Sequence, residues 1–169
     1  VPALGFVALV STPAQGQTAA QLAWWVDSLR IYVEGATRLK YRHPPRSALQ
    51  TPEQIKAYLR RQLERRLPPG RLEAIAAAYH LLGLLPDTIA FRNAVLDFNA
   101  PAVSGFYDPE TDTLYCRTGF GPSQVREVLT HEMVHALQAQ YVNLDSLVDP
   151  SRPSDQAFAA KAVIEGQAM

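Results

Sequence analysis

Gly121-Pro122-Ser123-Gln124-Val125-Arg126-Glu127-Val128-Leu129-Thr130-His131-Glu132-Met133-Val134-His135-Ala136-Leu137 is the run on which the reading of this chain turns. Proline is at home in the first turn of a helix, where its missing N–H is not needed. Val125, Val128, Leu129, Val134 and Leu137 then recur at helical steps, which predicts a helix from Gly121-Pro122 to about Tyr141. On such a helix His131 and His135 stand four residues apart, so their imidazoles leave one face a single turn apart. That spacing suits one Zn²⁺ at roughly 2.0–2.1 Å from each nitrogen. Glu132 follows the first histidine and points to the side of that face, where it would serve as general base rather than ligand. A zinc ion there lowers the pKa of a water toward about 7 and polarises a scissile carbonyl, which makes amide hydrolysis feasible at neutral pH.

Catalytic zinc normally has three protein ligands, so two histidines are one short. The single cysteine, Cys116, rules out an internal disulfide and every cysteine-rich zinc site. A third histidine at close spacing is excluded too: Gln138 stands where that longer motif has glycine, and Tyr141 where it has histidine. Asp145, Asp149 and Asp155 remain, in or beside a polar stretch, together with Glu165 further on. Glu165 is the better geometric choice, on a last helix long enough to fold back antiparallel across the first. Phe158, Lys161 and Ala162 share its face at helical spacing, and Ala162 would let the backbones approach. The aspartates stay in reserve.

Upstream of the motif, Gly105-Phe106-Tyr107 and Thr113-Leu114-Tyr115-Cys116 flank Asp108-Pro109-Glu110-Thr111-Asp112 and predict a β-hairpin. An extended peptide could add to an exposed edge along Thr113, Leu114 and Tyr115. Tyr107 or Tyr115 is a further candidate for reaching an oxyanion. From Thr18 to about Leu39, Leu22, Trp25, Val26, Leu29, Val33 and Ala36 predict a first helix, and Leu39–His43 predicts a short strand before Pro44-Pro45. Thr51-Pro52 opens a second helix through Ile55, Leu59 and Leu63, ended by Pro68-Pro69-Gly70. A third spans Arg71 to about Leu82 and a fourth Asp87 to about Phe98. Val142–Pro153 reads as a polar loop. Ser154 or Asp155 then caps a last helix through Ala157, Ala160, Ile164 and Ala168, whose small residues permit close packing.

The 169 residues, 47% of them hydrophobic, suffice for one ordinary domain. Residues 18–169 form that domain, and 1–17 read as the tail of a secretory signal peptide, apolar and then small. Export to the outside or the cell envelope follows from that reading; without it the chain would be cytoplasmic. The apolar run is too short to span a bilayer. Glu165 to Met169 stops inside an apparent helix without a capping signal, the pattern of a chain that continues. Lys plus Arg and Asp plus Glu both total 16, so the balance calls for neither nucleic acid nor an anionic membrane. The basic run Lys56, Arg60, Arg61, Arg65, Arg66 and Arg71 lacks interleaved aromatics and reads as a solvated helix face.

His131-Glu132-Met133-Val134-His135 followed by Glu165-Gly166 on a later helix resembles the gluzincin group of zinc metallopeptidases, and the small size is similar to that of the minigluzincins. The hairpin before the motif resembles an arrangement in uncharacterised bacterial proteins of that type. The resemblance covers about Ala102 to Ala168. It implies an α+β, helix-rich, zincin-like domain with a small sheet, a metal helix and a glutamate helix. It also implies His131, His135 and Glu165 as ligands of one Zn²⁺, Glu132 as general base, and a peptide or protein as substrate. Many larger gluzincins brace a histidine with an aspartate four residues after the ligand glutamate; here that position is Met169, so the brace must be something else. The alternatives are an inactive zinc-binding interaction domain of the same fold, and a helical domain in which the motif arises by chance.

Overall fold

The computed structural model describes residues 17–86, 88–149 and 152–169; the expected signal remnant falls almost wholly outside them. Thr18 caps helix α1 (Ala19–Thr37), its hydroxyl accepting from the Gln21 N–H while the Gln21 side chain accepts from the Thr18 N–H. Leu22, Val26, Leu29 and Val33 form the buried stripe of α1, Trp25 packs beside them, and Trp24 stays exposed.

The strand expected over Leu39–His43 does not form. Glu34 accepts from the Tyr41 N–H at 3.1 Å, and Gln140 Oε1 accepts from the Arg42 N–H at 2.7 Å. Backbone donors spent on side chains cannot build a ladder. The strand lies just beyond the prolines instead, as β1 (Arg46–Gln50). Thr51 and Pro52 start α2 (Pro52–Arg66) through a capping box with Gln54. Then come α3 (Arg71–Leu81), α4 (Phe91–Asn99) and a 3₁₀ turn at Ala100–Ala102. The fourth helix thus begins later than expected, and Asp87 lies outside the described residues.

The hairpin is present as β2 (Gly105–Asp108) and β3 (Thr113–Arg117). Its turn is closed by the Asp108 carboxylate, which accepts from the Glu110 N–H at 3.2 Å and the Thr111 hydroxyl at 2.9 Å. The strand order is β1-β3-β2, with β1 parallel to β3 and β2 antiparallel to it. This corrects the expected substrate edge. Thr113, Leu114 and Tyr115 belong to the central strand, paired on both sides, with Thr113 and Leu114 buried, so they have no edge to offer.

Helix α5 (Pro122–Ala139) carries the histidine motif, and Gln124 Oε1 accepts from the Gly121 N–H at its start. The short α6 (Leu144–Leu147) interrupts the stretch expected to be loop, and α7 (Ser154–Ala168) closes the chain. Ser154 and Asp155 lie inside the first turn of α7, which has no side-chain cap. The protein is α+β, with a small three-stranded sheet among helices. One core joins α1, β3, α5 and α7 through Leu22, Leu114, Leu129, Met133, Leu137 and Ala168. Burying each such leucine contributes about 1.5–3 kcal/mol. The sheet and α5 meet at Gly105, where an added Cβ would stand 2.5 Å from Val128 Cγ1. Among the described residues, no helix is long and apolar enough to cross a membrane.

Candidate metal centre

Because α5 buries Val125, Leu129, Met133, Val134, Ala136 and Leu137, its orientation on the sheet is fixed by packing, and the two histidines take the side facing α7. Helix α7 brings Glu165 to them. The two histidine Nε2 atoms lie 3.1 Å apart, and Glu165 Oε2 is 3.4 Å from that of His131 and 3.5 Å from that of His135. A circle through atoms so separated has a radius of about 1.9 Å, so one point close to their plane lies at coordination distance from all three.

The protons settle what that point can hold. His131 Nδ1 faces the Ala168 carbonyl oxygen at 3.2 Å. His135 Nδ1 faces Gln138 Oε1 at 2.9 Å, and the orientation of that amide follows from its Nε2, which donates to the Ile164 carbonyl at 3.0 Å. Both rings therefore donate through Nδ1, and in that neutral tautomer the Nε2 lone pairs face each other and a carboxylate oxygen. Three lone pairs that converge in this way repel unless a cation sits among them. Two imidazoles and one carboxylate are a suitable donor set for a divalent transition metal, and the residues present can hold such an ion. Among the described residues this is the cluster of His, Cys, Asp and Glu with that property.

Asp145, Asp149 and Asp155 are not part of it; Asp145 pairs with Arg66 at 2.8 Å. The small-residue stripe expected of α7 does face inward, but the companions expected beside Glu165 do not. Ala157, Ala160, Ile164 and Ala168 turn inward, whereas Phe158 and Ala162 are exposed, so Ala162 does not mediate the approach.

Glu132 stands beside the trio without joining it. Its Oε2 accepts from the Tyr107 N–H at 2.9 Å, a tie to the outer side of β2. Burial pushes its carboxyl above the ordinary carboxylate range, Glu165 adds to the rise, and His135, His131 and the Tyr107 N–H oppose it. The hydroxyls of Tyr107 and Tyr115 are bonded within the hairpin, to Asp112 at 2.9 Å and Thr111 at 3.4 Å, which removes the support for either as an oxyanion donor. A cleft of about 1110 Å³ runs past His131 and Glu132, with Gly105, Trp25 and Phe120 among its walls. Cys116 is fully buried beneath the site, and burial pushes its thiol up to about 11. In the basic run, Lys56, Arg65 and Arg66 meet Asp97, Glu110 and Asp145.

The braces on the two histidines are the site residues that sequence reasoning missed. The carbonyl of Ala168 carries no sequence signal. Gln138 does carry one, since it lies three residues after His135 and therefore on the same helical face. Comparison with known proteins returns no matching family model, no matching curated protein and no matching solved structure.

Proposed function

We propose that this chain is a zinc-dependent peptidase of the gluzincin type, its sheet, histidine helix and glutamate helix forming a zincin-like domain. The observation that carries the reading is the convergence of two imidazole nitrogens and one carboxylate oxygen beside a half-buried carboxylate that is not one of them. Bound zinc would supply a Lewis acid that polarises the substrate carbonyl and acidifies water. His131, His135 and Glu165 would hold it, leaving a fourth position open. Glu132 has one oxygen restrained by Tyr107 and keeps the other to take a proton from the attacking water and return it to the leaving amine. A carboxyl raised above its ordinary range is better matched to that exchange at neutral pH than an exposed one.

The strand available for an extended peptide is β2, an edge strand that forms a wall of the same cleft. Tyr107 turns its N–H away from β3 toward Glu132, and alternation turns the backbone of Gly105 the same way. A substrate strand added there would run past Glu132. The deciding experiment measures zinc content and casein cleavage for the wild type beside Glu132→Ala. Zinc retained in both, with cleavage about 10²–10⁴-fold lower in the variant, is the expected result. Zinc absent from both proteins would refute the reading.

A further inference from the structure

We infer that Gln138 is a positioning residue that ties the two halves of the metal centre together, holding His135 in its Nδ1–H form and setting the register at which α7 presents Glu165. This rests on the metal-centre reading above. Gln138 is only 7% exposed, and its amide is engaged at both ends. Oε1 accepts from His135 at 2.9 Å, while Nε2 donates to the Ile164 carbonyl at 3.0 Å and to Gln167 Oε1 at 2.9 Å. Ile164 immediately precedes Glu165, and Gln167 follows it by two. The clamp therefore grips the one turn of α7 from which the third ligand projects.

Why α7 needs a clamp follows from its sequence. Ala168 is its one buried residue, and Ala157, Ala160 and Ile164 are half-buried at most. Small side chains let the helices approach but give no interlocking to resist rotation or sliding. The turn also lies near the helix end, where intrahelical bonds run out and fraying begins. A rotation of α7 by one residue would carry Glu165 away from the histidines altogether. Polar ties must then set the register, and among the described residues two join the backbone of this turn to a histidine Nδ1. The Nδ1 of His131 meets the Ala168 carbonyl directly, whereas the Nδ1 of His135 is linked to the α7 backbone through Gln138. The same side chain thereby couples the tautomer of one ligand to the position of another.

The test compares wild type with Gln138→Leu, which matches the volume and removes both the donors and the acceptor, and with Gln138→Asn, whose shorter arm stays polar should the leucine variant fail to fold. In metal-free protein at about pH 8, above the ordinary imidazole pKa, long-range ¹H–¹⁵N spectra should show His135 as the Nδ1–H form in wild type and shifted toward Nε2–H in the variants. Amide exchange should quicken in α7 while α1 keeps its protection. Zinc affinity, measured by competition with a chromophoric chelator, should fall about 10–100-fold, and the fall should shrink several-fold when Glu165→Ala is already present. An unchanged His135 tautomer with wild-type zinc affinity would overturn the inference, as would an equal loss of affinity with and without Glu165. If the wild type itself takes up no zinc, the metal reading fails, and the tautomer and exchange results still decide whether Gln138 positions His135 and α7.

Discussion

Helix α5 and helix α2 are both well capped and of similar length, yet they sit in surroundings of different kinds. Around α5, with α1 and β3, apolar side chains interlock into one core to which α7 adds only Ala168, and Leu114, Leu129, Met133 and Leu137 are wholly shut off from water. In the other region, α2, α3 and α4 bury one side chain each, Ile55, Leu72 and Leu96, while Leu81, Leu82, Leu84 and Phe98 face solvent. Ion pairs take up part of the work there, joining Arg65 to Glu110, Lys56 to Asp97, and Arg92 to Glu64 and Glu73. Exposed pairs contribute little and are screened by salt. The lesson is that the two histidines of the candidate centre stand on the closely packed region, whereas Glu165 stands on a helix attached to it largely by polar ties.

The contrast is broken most directly by truncation. Leu137→Ala empties space in the middle of the core and should cost about 2–5 kcal/mol in urea unfolding, whereas Leu81→Ala, at 88% exposure, should stay within about 0.5 kcal/mol. Equal costs would mean that the two regions are not packed differently. Next in size is Gly105→Ala. Its new methyl would meet Val128 at 2.5 Å and the Tyr115 carbonyl oxygen at 2.7 Å, pushing β2 off α5, with an expected loss of about 1–3 kcal/mol. Since Tyr107 on β2 holds Glu132, the proposed peptidase activity should fall along with stability.

The smallest effect belongs to the ion pairs, and its dependence on pH has a definite sign. The Arg65 guanidinium holds the Glu110 carboxyl below its ordinary value of 4.5. A depressed carboxyl stabilises the fold above its unfolded pKa, and that gain is lost as pH falls through the folded value. Glu110→Gln should therefore be slightly less stable than wild type at neutral pH. The two thermal midpoints should converge as pH drops below 4.5, or as salt is raised at neutral pH.

The same contrast separates what was legible in the sequence from what was not. Helices α1, α2 and α5 announce themselves through Thr18, Thr51 and Pro122 and through apolar stripes at helical spacing, because those signals are local. The hairpin was legible for the same reason. β1 was not, since its partner β3 lies more than sixty residues away and only tertiary pairing makes a strand of Arg46–Gln50. That distant pairing also places β3 in the centre of the sheet, which the hairpin alone could not reveal. Within the site, the meeting of His131, His135 and Glu165 was readable from spacing and topology. Their braces were less so: a backbone carbonyl at Ala168 looks like any other, and Gln138 matters through contacts on a helix that follows it after a long break.

The central claim, one ion held by two imidazoles and one carboxylate from two helices, is tested most directly by X-ray absorption on protein loaded with a single equivalent of zinc. The account predicts four N/O neighbours at about 2.0 Å, two of them showing the outer-shell scattering of imidazole, with one neighbour altered in Glu165→Ala. A spectrum with a single imidazole, or one that Glu165→Ala leaves unchanged, would contradict it.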